Sequence, residues 1–78
     1  MKVYETDKAV SFLKKHKLLK SYLKAKNYFE MGYKQMIKLK LLQPKKNKQY
    51  QFRINNQYRA RGYFKEDGFL VTHISDHQ

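Results

Sequence analysis

Apolar positions recur along this chain in two different periods, and the change of period divides it. Ala9, Phe12, Leu13 and His16 fall on one stripe, and Leu18, Tyr22, Ala25 and Phe29 on a second, at spacings of four, three and four. Such spacing belongs to amphipathic helix, and Lys14, Lys15, Lys17, Lys20, Lys24 and Lys26 fill most positions between. Thr6 or Asp7 offers a side-chain oxygen to the free amides of a first helical turn. Gly32 can take the left-handed conformation that closes a helix. The pattern therefore predicts helix from Asp7 to about Met31. No breaker separates Lys14 from Lys20, so one long helix and a hairpin of two fit equally well.

Beyond Gly32 the period shortens to two. Ile37, Leu39 and Leu41 alternate with Lys38 and Lys40, which predicts an extended segment, and Gln43 to Lys48 reads as a basic loop. Tyr50, Phe52 and Ile54 alternate with Gln51, Arg53 and Asn55 as in a half-buried strand. Asn55-Asn56-Gln57 supplies turn chemistry, Tyr58 to Phe64 a further strand, Glu66-Asp67-Gly68 a hairpin turn, and Phe69 to Ile74 the last strand. Met1 to Glu5 fits a short first strand. The fold class expected is α+β: a helical N-terminal half packed on one face of a small antiparallel sheet, in one domain over residues 1–78.

With Tyr50, Phe52 and Ile54 turned to the core, Gln51 and Arg53 point to the opposite side. Arg59, Arg61 and Tyr63 of the neighbouring strand are expected to share that side. Tyr50, Phe52 and Tyr58 read as core, and His16 as a structural residue of a helix face.

Charge sharpens this picture. Eighteen Lys and Arg against six Asp and Glu give a formal net charge of +12, which calls for a polyanionic partner, nucleic acid first. The cations are spread over helix and strand instead of one helix face, which disfavours a membrane-surface anchor. No apolar run approaches the roughly 18 residues of a membrane span. Met1-Lys2-Val3 leads straight into polar residues, so no secretory leader is expected and the chain reads as the mature protein. Absence of cysteine excludes disulfides, a thiolate nucleophile and Cys-ligated zinc, and suits a cytoplasmic location. The arginines are more specific than the net charge. Only three exist, Arg53, Arg59 and Arg61, all within nine residues. Arginine holds a phosphodiester through paired hydrogen bonds, whereas lysine acts as a point charge.

The run Tyr50-Gln51-Phe52-Arg53-Ile54-Asn55-Asn56-Gln57-Tyr58-Arg59, followed by the acidic-glycine turn and Phe69-Leu70-Val71-Thr72-His73-Ile74-Ser75-Asp76-His77, resembles the RelE/ParE toxins of type II toxin–antitoxin systems. In that superfamily an Arg-Ile…Tyr-Arg hairpin precedes a hydrophobic strand ending in His or Arg. The match covers roughly residues 49–78, and the remainder agrees in pattern. The resemblance implies a ribosome-dependent mRNA endoribonuclease that needs no metal or other cofactor. The superfamily also contains DNA gyrase poisons, and a basic nucleic-acid-binding module without catalysis is a third reading. Carried over by position, Arg59 matches the arginine on the scissile phosphate, Arg53 and Gln51 match basic strand positions, and His77 matches the C-terminal general acid. Lys40 lies near the general base, which is Glu in YoeB-like toxins. A C-terminal Tyr that stacks on a base in many members has no counterpart before Gln78. Lys38, Lys45, Lys46, Lys48 and Arg61 are expected as further RNA contacts, and Tyr63 as a surface for base stacking. The implied partners are mRNA on the ribosome and an acidic antitoxin that covers the basic face.

RNA carries its own nucleophile, the 2′-hydroxyl, so little machinery is required. Arg53 and Arg59 would hold the phosphate, and His77 would protonate the leaving 5′-oxygen, since an ordinary imidazole titrates near pH ~6.5. Lys40 would serve as base only with a depressed pKa. The product would be a 2′,3′-cyclic phosphate. His73 and His77 stand four apart, a metal-pair spacing on a helix but not across a strand end, so no metal site is expected.

Overall fold

In the computed structural model, which describes residues 1–76, Thr6 starts the first helix. Its hydroxyl accepts from the Ala9 amide at 3.2 Å, and α1 runs over Asp7–Lys15 with Ala9 and Leu13 buried. The helical half is a hairpin. Lys17 takes a left-handed φ of 57°, the Lys17 amide donates to the Lys14 carbonyl, and the Leu18 amide donates to the Leu13 carbonyl at 2.8 Å. This is a Schellman closure, in which a left-handed residue reverses the last turn and its neighbour packs back on the helix. Leu13 and Leu18 are both buried. The second helix, α2, spans Leu19–Glu30 and ends the same way: Gly32 has φ 87°, and the Tyr33 amide donates to the Tyr28 carbonyl at 2.9 Å.

Gly32 takes its left-handed turn without a Cβ penalty, but Lys17 does not. Replacing Lys17 by Gly is therefore expected to raise folding stability by about 0.5–1 kcal/mol. A urea titration reads this as a higher midpoint at unchanged slope; a lower midpoint would contradict the closure.

A one-turn helix α3 (Lys34–Ile37) and the strands β1 (Lys2–Glu5), β2 (Lys40–Leu41), β3 (Tyr50–Arg53), β4 (Tyr58–Lys65) and β5 (Gly68–Asp76) complete the fold. A 3₁₀ turn, Lys45–Asn47, lies in the β2–β3 loop. The sheet has five strands in the order β1-β5-β4-β3-β2. It is α+β as expected, yet mixed instead of antiparallel: β2 to β5 form the antiparallel series, while β1 lies parallel to β5 with Val3 opposite Phe69. Both side chains are buried on the helix side. The free side of β5 gives β1 an apolar partner before the chain crosses into α1, where the Thr6 amide extends the contact to the Val71 carbonyl. A strand of four residues carries no sequence signal for its partner.

Two carboxylates fasten β1 to α2. Glu5 accepts from the Tyr22 hydroxyl at 2.6 Å and pairs with Lys26 at 2.8 Å, and the Val3 amide donates to Glu30 at 2.9 Å. Burial and the neighbouring Glu5 push the Tyr22 phenol far above its ordinary pKa, so it stays a donor.

The extended segment expected over Ile37, Leu39 and Leu41 is corrected in part. Ile37 closes α3 and is buried, Lys38 turns the chain with a left-handed φ of 51°, and strand pairing covers only Lys40 and Leu41. Ile37 packs into the common core from a helical turn, so alternation in sequence here reflects burial and not pleat. That core joins Leu13, Tyr22, Phe29 and Ile37 of the helical half to Phe52, Ala60, Phe69, Val71 and Ile74 of the sheet. Phe29 meets Phe52 edge-on at 5.3 Å and Phe69 at 5.0 Å. No helix among the described residues is long and apolar enough to cross a membrane.

Candidate nucleic-acid interface

Register decides which side chains share the face away from the helices. Phe52, Ala60 and Ile74 are cross-strand partners and all buried in the core. Side chains one position away along each strand therefore point to the other side. That side carries two rungs. Lys40, Gln51, Arg61 and His73 are consecutive partners across β2, β3, β4 and β5, and Arg53, Arg59 and Ser75 form the next rung. Neighbouring strands lie about 4.8 Å apart and rungs on one face about 6.6 Å, so the cations form a patch roughly 15 Å wide.

The β3–β4 turn holds two of the guanidiniums. Asn55 Oδ1 accepts from the amides of Gln57 and Tyr58 at 2.9 and 2.8 Å, closing the turn by the usual asparagine device. The Asn55 carbonyl and the Tyr58 carbonyl both accept from Arg59 Nη1, at 2.6 and 3.1 Å, and Asn56 Oδ1 accepts from Arg53 Nη2. Arginine has five N–H donors in a fixed fork. With Nη1 fixed on backbone, Arg59 keeps the Nε and Nη2 edge for a bidentate anion. Partial burial and the opposite Arg53 push its pKa down, the mark of like charges held together, though a guanidinium stays protonated.

Among the described residues no carboxylate forms a salt bridge with an arginine. The two salt bridges among the described residues, Lys26–Glu5 and Lys65–Asp67, both use lysine. Arg61 Nε is buried with no hydrogen-bond partner. Like charges directly opposite and an orphaned donor each reduce stability, so this face is not arranged for the benefit of the fold.

The other expected contacts divide. Tyr63, next along β4 on the same face, is 44% exposed, with Leu70 and then Tyr4 as its cross-strand neighbours. Lys40 is exposed at the end of its rung, whereas Gln51 is only 7% exposed and serves to space Lys40 from Arg61 more than to reach a ligand. Lys45 and Lys48 line a groove with Leu41, Tyr50 and Phe64, residues whose alternation places them on the helix side. They, with Lys46 in the same turn, stand apart from the arginine rungs. Lys38 is exposed in the turn before β2. His77 lies outside the described residues.

His73 was not singled out by pattern for the open face. Phe69 and Val71 are core residues, and strict alternation would send His73 to the core with them. A bulge intervenes: Arg61 pairs with His73 and Gly62 with Val71, leaving Thr72 as the extra residue. Bulges re-aim side chains in this way. The signal available in the sequence is the change of parity from Val71 to Ile74. Among the described residues no three or more His, Asp or Glu side chains gather as a metal set. No protein-family model matches the chain, and no curated protein matches it in sequence.

Proposed function

We propose that this chain is an RNA-cutting toxin of the RelE/ParE kind, a metal-independent endoribonuclease that inhibits translation by cleaving mRNA on the ribosome. The observation that supports the reading best is the pair of cross-strand rungs bearing Arg53, Arg59 and Arg61 on an open sheet face, with no carboxylate partner among the described residues. A phosphodiester in that place accepts hydrogen bonds from the free edge of Arg59 and from Arg53, and the charge that develops on its oxygens meets fixed donors. Tyr63 lies one rung away, where an unstacked base can rest on its ring. In-line attack by the ribose 2′-oxygen then gives a 2′,3′-cyclic phosphate. The ribosome orients the message, and an acidic antitoxin peptide neutralises the face when the toxin is held silent. The resemblance in sequence gives the leaving-group proton to His77.

Induced expression followed by primer extension on cellular mRNA tests the reading. The expected result is rapid arrest of translation with cuts at codon-related positions, and loss of those cuts in Arg59→Ala and His77→Ala chains that still fold. Arrest of DNA synthesis ahead of translation, with intact message, marks a gyrase poison instead and overturns it.

A further inference from the structure

The bulge that places His73 also fixes its proton. Thr72 Oγ1 donates to the Arg61 carbonyl at 3.3 Å, and the same oxygen lies 3.2 Å from His73 Nδ1. A carbonyl can only accept, and a threonine hydroxyl has one hydrogen. With that hydrogen on the Arg61 carbonyl, the hydroxyl must accept from Nδ1–H. In a neutral ring this leaves the lone pair on Nε2. His73 is half-buried and its cross-strand partner is Arg61, one rung from Arg59. Partners of this kind have Cα atoms about 5 Å apart, and the rungs are about 6.6 Å apart. A phosphate on the arginines and the ribose beside it fit that span.

We infer that His73 Nε2 is the base that accepts the ribose 2′-hydroxyl proton in the proposed cleavage. The inference rests on the endoribonuclease reading and deepens it, giving the base role to His73 in place of Lys40, which the resemblance in sequence puts near that position. The step balances. The 2′-oxygen gives its proton to Nε2 and forms a bond to phosphorus, the P–O5′ bond breaks, and the 5′-oxygen leaves with the proton that the proposed reading assigns to His77, which regains one from solvent. The products are a 2′,3′-cyclic phosphate and a 5′-hydroxyl, and the imidazolium returns its proton to solvent.

The surroundings suit a base. Among the described residues the charged groups that face the ring are Arg61 from β4 and Lys8 from α1, with no carboxylate. Burial first, then Arg61 and Lys8, push the imidazole pKa below its ordinary value. A depressed pKa keeps the ring neutral through neutral pH, and activity is lost only as pH falls through that lowered value.

Single-turnover cleavage of ribosome-bound message, followed across pH for the wild type, His73→Ala and His73→Gln, tests this. The wild-type rate is expected to rise tenfold per pH unit at the acid end and level off below pH ~6.5. Both variants are expected to cut about 10²–10⁴-fold more slowly and to lose that acid limb, while keeping the wild-type melting temperature and heparin affinity. Variants that cut within threefold of wild type, or that keep the limb, overturn the assignment. Nitrogen-15 imidazole shifts at neutral pH give a check independent of turnover: Nδ1-protonated His73 is expected, and an Nε2-protonated ring overturns the assignment. A wild type that cuts no ribosome-bound message overturns the endoribonuclease reading itself, and this inference with it.

Discussion

A chain carrying Arg53→Gln, Arg59→Gln and Arg61→Gln together is expected to lose cleavage by at least about 10³-fold while folding as well as the wild type or slightly better. The two halves of this expectation have one cause. Arg53 and Arg59 stand directly opposite each other, Arg61 is the next cation along β4, and no carboxylate pairs with any of them among the described residues. Opposed like charges in a sheet cost roughly 0.2–1 kcal/mol, and glutamine keeps most of the aliphatic stem while removing the charge. Each lost phosphate contact also lowers the salt dependence of binding by about 0.7 on a single strand, so the slope of log K against log salt falls by about 2 for all three. Titrating a short single-stranded RNA at several salt concentrations reads that slope, and chemical denaturation reads the stability. If the variant unfolds, the arginines serve the fold; if it folds and cuts, they do not hold the scissile phosphate.

The Gly62→Ala chain is expected to lose most of its stability. Gly62 sits on β4 at the bulge, where the β5 backbone comes so close that a Cβ would lie 1.9 Å from the Leu70 carbonyl oxygen and 2.8 Å from its carbon. Both contacts are backbone and neither can rotate away. Relief requires the β4–β5 pairing to part or the bulge to move, in a domain whose total stability is on the order of 4–12 kcal/mol. A loss of about 4 kcal/mol or more follows, equivalent to a fall of roughly 20 °C in melting temperature. A melt followed by far-ultraviolet circular dichroism measures it. The result also bears on the site, because the same bulge turns His73 to the open face. A Gly62→Ala chain that melts like the wild type would mean that Thr72 is not the extra residue and that His73 faces elsewhere.

Much of this was legible in the residues, and the gaps have physical reasons. The two apolar stripes of the helical half sit on one core. Leu13 to Leu18 is a step of five, an offset between the stripes that marks where the hairpin turns but does not by itself decide between one helix and two. The closure itself was hidden because it uses Lys17 in a conformation that glycine or asparagine would have advertised. Strand positions from Tyr50 onward, and the shared face of Arg53, Arg59 and Arg61, followed from alternation because β3 and β4 pair without slippage there. Alternation failed at Thr72, where one extra residue reverses it. It also misled at Ile37, which is buried from a helical turn. The parallel pairing of β1 depends on contacts nearly seventy residues away along the chain, beyond the reach of any local pattern. Counting lysines does not locate them on one face, since Lys45 and Lys48 line a groove with Leu41, Tyr50 and Phe64, apart from the arginine rungs.

The bond from the Val3 amide to Glu30 has an effect on neighbours as well as on the fold. An amide that already has an acceptor cannot recruit a strand from another molecule, so the outer border of β1 is blunted against lateral growth. Bare sheet borders zip into aggregates wherever copies of a domain crowd together. One carboxylate at the end of α2 thus shields a strand border that would otherwise stand open.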